Sequence, residues 1–232
     1  MRLAQRVSAL LFPQARCLCC DEPRLLDAGQ PLCAGCQAAL MEARIGDLTC
    51  PRCLSFLSQG RVCSFCAQGG LAGIDRAYAP FSYRDEARQL VVRLKFGPCQ
   101  EAGPPLARAM AQAITGQAFD YLVPVPLHRL DHRARGFNQA ELLSQLLQRH
   151  RPDLPLLCAL EKHVKTQRQS SLNLEARLEN ARGKFRAIAD VKGKAILLVD
   201  DVRTTGSTVQ ECAGVLRAAG ATSVSLLTAT VA

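Results

Sequence analysis

The chain has 232 residues, which is enough for one large domain or for a medium domain with a small one. Aromatic residues make up only 5% of it and tryptophan is absent, which disfavours a protein that stacks many nucleobases on its side chains. The formal net charge of +9 favours phosphate-bearing partners, and no apolar run approaches the roughly 18 residues of a membrane span.

The N-terminal segment, MRLAQRVSALLFPQARC, has basic residues around the short apolar patch VSALLF. This patch is shorter than the apolar core of a signal peptide. We therefore expect a short helix packed on the body of a cytoplasmic protein, in which thiols stay reduced.

Four C-x-x-C knuckles follow within residues 17–66. Two knuckles supply the four thiolates of a closed structural zinc site, so four knuckles predict two such sites. Pairing the knuckles in sequence order is favoured, although a crossed arrangement also fits the spacing. Disulfides are the alternative, which a reducing compartment disfavours. The predicted ligands are Cys17, Cys20, Cys33, Cys36, Cys50, Cys53, Cys63 and Cys66.

Two loaded sites would each carry a charge of about −2, which lowers the net charge from +9 to roughly +5. Cys19 lies inside the first knuckle and could replace a neighbour as a ligand. The remaining thiols, Cys99, Cys158 and Cys212, are expected to be small core residues.

The glycine-rich stretch AQGGLAG predicts a domain boundary. It separates a zinc-ribbon module with a short leading helix, residues 1–68, from a larger domain, residues 74–232. In the larger domain DRAYAPFSY reads as extended chain, and RDEARQLVVRLKF and PPLARAMAQAI read as helices. The apolar face of the first helix consists of Ala87, Leu90, Val91 and Leu94.

Strands and helices alternate through the rest of the chain. DYLVPVPLHR and LPLLCAL are short strand candidates, and NQAELLSQLLQRH is a helix that Asn138 and Glu141 begin as a capping box. Residues 161–186 read as a long mobile loop with a helical segment. KAILLV and SVSLLTATV are apolar strands on either side of one more helix. This alternation predicts an α/β fold with a doubly wound, mostly parallel sheet.

Two aspartates, Asp200 and Asp201, end the strand AILLV, where parallel sheets bind their ligands. The loop RTTGST follows and leads into a helix, whose N-terminal amides and dipole favour phosphate. A plain helix cap by Thr208 and Glu211 is the alternative, but it leaves the acidic pair unexplained. The residues expected to hold phosphate are Thr204, Thr205, Gly206, Ser207 and Thr208.

The carboxylates repel phosphate, so they must serve a neighbouring group, such as sugar hydroxyls or a Mg²⁺ ion that bridges to further phosphate. A ribose with a 5′-phosphate, vicinal hydroxyls and a pyrophosphate meets these requirements. We therefore expect the ligand to be 5-phosphoribosyl 1-pyrophosphate.

The sequence ILLVDDVRTTGST resembles the ligand motif of type I phosphoribosyltransferases. Together with the knuckles, LKF, VPVPLHRLDHRARGFNQAELL and TQRQSSLNLEARLENARGKF, it resembles the ComF competence-protein family over nearly the whole chain, including its GntX-like members. This resemblance implies the type I phosphoribosyltransferase fold behind a small double zinc ribbon. It also implies displacement of pyrophosphate from ribose C1, and a link to natural transformation.

By this resemblance Asp200 and Asp201 hold the ribose hydroxyls and, indirectly, Mg²⁺. The expected pyrophosphate cations are Arg129, Arg133 and Arg135, and the expected contacts of a closing lid include Lys165 and Arg177. A solvated basic loop is the alternative for both sets. Lys95 matches a family position without an assigned role. Arg203 departs from the family, which usually has an apolar residue there, and it would weaken the ribose site if it paired with the aspartates.

Two functions stay open. The chain is either a Mg²⁺-dependent phosphoribosyltransferase of unknown acceptor, or a non-catalytic competence factor that senses phosphoribosyl pyrophosphate and handles single-stranded DNA. Competence-machinery proteins are further expected partners. No acceptor pocket can be identified from the sequence.

Overall fold

A computed structural model describes residues 15–24, 31–57, 63–97, 99–164 and 183–232 of the chain. The predicted leading helix and most of the predicted lid, including Lys165 and Arg177, lie outside these residues. No helix in the described ranges is long and apolar enough to cross a membrane.

The described chain begins with strands β1 (Ala15–Arg16) and β2 (Pro23–Arg24), followed by helices α1 (Ala34–Glu42) and α2 (Ser64–Ala67). Next come β3 (Ala77–Tyr78), β4 (Phe81–Ser82), α3 (Asp85–Phe96), a 3₁₀ turn at Gln100–Ala102, and α4 (Gly103–Ala113). They are followed by β5 (Tyr121–Pro124), α5 (Arg129–Arg135), α6 (Gln139–His150) and β6 (Leu160–Lys162). The last elements are β7 (Phe185–Ala187), β8 (Ala195–Arg203), α7 (Ser207–Ala218) and β9 (Ser223–Val231).

The central sheet has five strands, and all of its pairings are parallel. β9 and β8 lie in the middle, β5 pairs with the free side of β8, and the short β3 and β4 both pair with β9. β6 and β7 form a separate antiparallel pair. Helices cover both faces, which confirms the predicted doubly wound α/β fold.

Strand β8 runs further than its apolar sequence predicts. It continues through the two aspartates to Arg203, because its ladder with β9 extends to the pair Arg203–Val231. Its other neighbour, β5, ends at Pro124, opposite Val199. The aspartates therefore lie at the carboxyl end of the sheet, as predicted, but within the strand rather than after it.

Two hydrophobic clusters lie on opposite faces of the sheet. One contains alternate residues of β8, including Leu197 and Val199, with the apolar faces of α3, α4 and α6. The other contains Ile196 and Leu198 with the buried face of α7. The predicted inner face of α3 is confirmed, since its buried residues are the four named above. On α7 the buried residues are Val209, Cys212, Ala213 and Leu216.

The cysteine-rich segment packs into both clusters. The first two knuckles contribute to the cluster of α3 and α4, and the last two knuckles contribute to the cluster of α7. Backbone hydrogen bonds join this segment to the short edge strands, including Ser82 N–H to Ala43 O and Ala77 N–H to Arg52 O. The boundary at residues 68–74 stays a prediction, and the segments on either side of it share their hydrophobic packing.

The predicted cap at Asn138 is confirmed, whereas the predicted strand at LPLLCAL is mostly absent from the structure. The Asn138 side chain accepts a hydrogen bond from Ala140 N–H and so caps α6, as predicted. The strand predicted at LPLLCAL forms only from Leu160 onward, with a single parallel bridge at Leu156. Helix α5 was not predicted, because its sequence, RLDHRAR, is mostly charged and has no apolar periodicity.

Candidate functional site

A cavity of about 490 Å³ lies at the carboxyl end of the sheet. Its walls come from the segment after β5, the end of β8, the loop before α7, and the first turn of α6. Two lysines from distant parts of the chain, Lys95 and Lys162, also line it. The predicted acidic pair and all five residues of the predicted phosphate loop meet in this cavity.

The acidic pair is packed tightly against the sheet. Asp201 is only 5% exposed, and Asp200 Oδ1 accepts a hydrogen bond of 2.8 Å from Asp201 N–H. Burial, together with the neighbouring carboxylate of Asp201, raises the pKa of Asp200 to about 8. Lys95 acts in the opposite direction, and its Nζ lies 3.6 Å from Asp201 Oδ2. The site is therefore short of positive charge and hydrogen-bond donors, which a ligand or cation would supply.

The loop between β8 and α7, residues 204–208, presents hydroxyl groups and backbone amides. We call it the ligand loop. Gly206 has a φ of +80°, and a Cβ there would meet the Leu71 side chain, so glycine is required on both counts. Helix α7 begins at Ser207 without a side-chain cap. The alternative cap by Glu211 is absent, since Glu211 Oε1 instead accepts from Lys184 N–H. The first-turn amides of α7 are thus left for an anion.

The opposite wall is fixed by Asn138. Its side chain caps α6 and also donates a 3.0 Å hydrogen bond to Val125 O, which ties α6 to the segment after β5. Sequence reasoning named Asn138 only as a cap. It assigned no role to Lys95, and Lys162 fell within the predicted mobile loop, residues 161–186, without a role of its own. Burial lowers the pKa of Lys162, which is consistent with its position against this wall.

The predicted pyrophosphate cations lie elsewhere on α5. The Arg129 side chain is 84% exposed and its Nη2 lies 3.2 Å from Glu161 Oε1. Arg133 is exposed, and neither arginine lines the 490 Å³ cavity. The backbone of Arg135 ends α5, but its side chain lies outside the description. His128 caps this helix by accepting from Leu130 N–H.

The eight knuckle cysteines form two groups of four, in sequence order as favoured. Within each group the four sulfur atoms lie within 4.8 Å of one another. The Sγ–Sγ distances of 3.7 Å for Cys20–Cys33 and 3.6 Å for Cys53–Cys63 are close to the roughly 3.8 Å edge of a tetrahedron with metal–sulfur bonds of about 2.3 Å. Each group is therefore able to hold a metal ion.

Backbone donors favour one thiolate in each group, whereas burial raises the pKa of Cys36 and of Cys66. Burial opposes ionisation of Cys17, but amide hydrogen bonds from residues that include Cys33 outweigh it and lower the pKa of that thiol to about 6. Burial likewise opposes ionisation of Cys50, whose pKa falls to about 7 through amides that include that of Cys53. Cys19 stands outside both groups, and burial raises its pKa to about 12. It is not a ligand.

The other three cysteines differ from one another. Cys212 is buried in the core of α7, as expected. Cys99 is half-buried, and Cys158 is exposed, against the expectation of a core position.

This chain is similar to a known domain family and to known bacterial proteins over most of its length. The phosphoribosyl transferase domain family matches residues 98–231. DNA utilization protein YhgH of Escherichia coli O6:H1 is 32% identical over 206 residues, which cover 83% of this chain and 87% of that protein. Competence protein F of Haemophilus influenzae is 32% identical over 222 residues, covering 90% and 93%. Competence protein ComFC of Streptococcus pneumoniae is 28% identical over 195 residues, covering 83% and 84%.

Proposed function

The chain belongs to the ComF competence-protein family and carries a phosphoribosyl transferase domain, and from this premise we propose that its cavity binds 5-phosphoribosyl 1-pyrophosphate with Mg²⁺. The observation that carries the proposal is that Asp200, Asp201 and the ligand loop share one cavity with Lys95. Each chemical part of this ligand then has a matching group of residues.

The ligand loop is assigned to the 5′-phosphate. Its hydroxyl groups are close together, with Thr205 Oγ1 3.2 Å from Ser207 Oγ. The uncapped amides of α7 lie in the same place, and they favour a group with two negative charges. Thr204 and Thr208 are exposed and free to turn toward the ligand.

The acidic pair is assigned to the ribose. Two carboxylates accept hydrogen bonds from vicinal hydroxyls, which relieves the repulsion between Asp200 and Asp201. Carboxylate oxygens are also the ligands that Mg²⁺ prefers, and this ion keeps several waters through which such a pair holds it indirectly. When bound, Mg²⁺ would neutralise pyrophosphate charge.

Lys95 and Lys162 are assigned to the pyrophosphate, because they are the described lysines that line the cavity. Arg129, Arg133, Arg135, Lys165 and Arg177 stay predictions for a closed state. The proposed reaction breaks the bond from ribose C1 to pyrophosphate and forms a bond from C1 to an acceptor. Lysine charges placed beside the leaving group stabilise the charge that develops on it.

Zinc is the proposed occupant of both cysteine groups. Four thiolates in a tetrahedral arrangement are typical of a closed structural zinc site, and such a site stabilises a small fold. The two groups pack on opposite faces of the sheet, so both would contribute to the stability of the whole described body.

The relatives are named for DNA utilization and competence. We accordingly propose a role in DNA uptake, with single-stranded DNA or proteins of that machinery as partners. The alternative is a non-catalytic protein that binds phosphoribosyl pyrophosphate as a regulatory ligand.

Measurement of pyrophosphate release separates the two. Purified protein is incubated with phosphoribosyl pyrophosphate, Mg²⁺ and a panel of nucleobases or single-stranded DNA, with the Asp200→Asn/Asp201→Asn double variant as background. Release above that background with one acceptor supports the transferase. Saturable binding with no release for any acceptor rejects the transferase and leaves the regulatory alternative.

A further inference from the structure

Arg203, the last residue of β8, has an unusual environment. It is 5% exposed, and its Nε is one of only two buried side-chain polar atoms without a hydrogen-bond partner in the described residues. Its Nη1 makes one long contact of 3.4 Å, to Thr204 O. A buried guanidinium normally has several partners, since it carries five donors and stays charged.

The groups that act electrostatically on the Arg203 guanidinium belong to the second cysteine group, which consists of Cys50, Cys53, Cys63 and Cys66. Three of them, Cys53, Cys63 and Cys66, act on its guanidinium electrostatically. No carboxylate forms an ion pair with it among the described residues. The sequence left open whether Arg203 neutralises the aspartates of the ribose site. Arg203 lines the same cavity as that pair, but the groups that act electrostatically on its guanidinium are the cysteines.

Neutral thiols do not compensate a buried cation, and an unpaired buried charge costs several kcal/mol. Four thiolates around one divalent ion carry a net charge of about −2. A guanidinium near them gains a group of opposite charge. The burial of Arg203 is therefore explained when the second group is loaded and is unexplained when it is not.

The hydrophobic cluster that contains this cysteine group also reaches the ligand loop, through Leu71. Leu71 packs in one cluster with Cys50, Cys53 and Cys63, and it closes the space beside Gly206. The neighbouring Ala72 N–H donates to Gln210 in the first turn of α7. In the sequence, Arg203 immediately precedes Thr204, the first residue of the ligand loop.

We propose that Arg203 is a positioning residue that compensates the charge of the loaded second cysteine group and links metal occupancy there to the order of the ligand loop. The proposal rests on the proposed zinc occupancy. It makes two predictions that are independent of catalysis: loss of Arg203 labilises the metal of the second group alone, and loss of that metal disorders the loop.

The first test is alkylation of cysteines by N-ethylmaleimide in the presence of a chelator, mapped by peptide mass spectrometry. In Arg203→Met we expect the second group to be alkylated about tenfold faster than in the wild type, and the first group to be unchanged. Arg203→Lys should stay near the wild-type rate because it keeps the charge. Arg52→Met removes an exposed arginine on the third knuckle and should change little. Equal rates in Arg203→Met and the wild type, or equal acceleration of both groups, overturn the proposal.

The second test leaves Arg203 in place, so it stands even if Arg203→Met does not fold. Hydrogen exchange of peptides that span residues 199–208 is compared in Cys66→Ser and Cys20→Ser. We expect faster exchange only in Cys66→Ser, which disrupts the second group. The same exchange in both variants overturns the link. Zinc content of the wild type is measured first: fewer than two ions per chain contradicts the zinc proposal itself, whereas two ions with unchanged lability contradict only the role of Arg203.

Discussion

Lys95 Nζ lies 3.6 Å from Asp201 Oδ2, and both residues line the cavity at the carboxyl end of the sheet. Lys95 comes from the last turn of α3, about a hundred residues earlier in the chain. Lys95 brings a positive charge to an acidic pair that burial and mutual repulsion destabilise. A pyrophosphate ligand would give Lys95 a second negatively charged partner besides Asp201.

Substituting Lys95→Met should weaken the binding of phosphoribosyl pyrophosphate about tenfold, because one charge-assisted contact is lost. Lys194→Met is the matched control, since it removes another lysine–aspartate pair at the opposite end of β8, with Asp120 at 3.8 Å. Fluorescence or calorimetric titration measures both. Equal affinity for the two variants would reject the assignment of Lys95 to the pyrophosphate.

The acidic pair predicts a pH dependence of stability. The folded-state pKa of Asp200, about 8, is above its ordinary value, so the folded protein binds a proton that the unfolded chain releases. Stability without ligand or Mg²⁺ should therefore fall as the pH rises from about 4 to about 8. Asp200→Asn removes this loss and should be more stable than the wild type at pH 8, with the difference shrinking toward pH 4. Urea denaturation at several pH values measures it, and a difference that is constant with pH would contradict the buried, repelling pair.

Glycine substitutions separate backbone strain from the shape of the ligand loop. Gly206→Ala and Gly193→Ala both place a side chain at a positive φ, +80° and +73°, and the backbone strain alone should cost about 1 kcal/mol of stability in each. Only the Cβ at position 206 would meet another side chain, that of Leu71, while position 193 faces open space. Ligand affinity should consequently fall in Gly206→Ala and stay unchanged in Gly193→Ala. Equal affinities would place the phosphate outside this loop.

The first knuckle contains a predicted zinc ligand, Cys20, next to a cysteine outside the predicted ligand set, Cys19, which serves as a control for metal binding. Cys20→Ser removes a predicted zinc ligand and should reduce the metal content from two ions per chain to one, with a lower melting temperature because the first group packs in a main cluster. Cys19→Ser changes the adjacent thiol, which is no ligand, and should keep both ions. Elemental analysis and thermal denaturation measure these effects. Loss of an ion in Cys19→Ser would contradict the assigned ligand set.

The apolar periodicity of the sequence predicted most of the fold, because burial on one face of a helix or strand leaves a regular pattern. Ala87 and Leu90 on α3 and the strand AILLV before the aspartates are examples. The short edge strands β3 and β4, with two residues each, have too little pattern to define their bounds. Their pairing depends on β9, which is about 150 residues away.

The candidate site was predictable where its residues are adjacent in sequence, as in Asp200, Asp201 and the ligand loop. Lys95 and Lys162 were not, because only tertiary packing brings them to the same cavity. The direction of Arg203 was undetermined for a similar reason. From the sequence alone, an arginine that follows two aspartates could pair with them, whereas the groups that act electrostatically on Arg203 in the structure are cysteines.

Calorimetric titration with phosphoribosyl pyrophosphate and Mg²⁺ tests the central claim most directly. The wild type should bind one ligand per chain, and Asp201→Asn should bind it about 10- to 100-fold more weakly, because the hydroxyls of the ribose lose a charged acceptor. Asp47→Asn, at an exposed position far along the chain, should bind like the wild type. Wild-type protein that shows no binding, or Asp201→Asn with unchanged affinity, would contradict the assignment of this cavity to phosphoribosyl pyrophosphate.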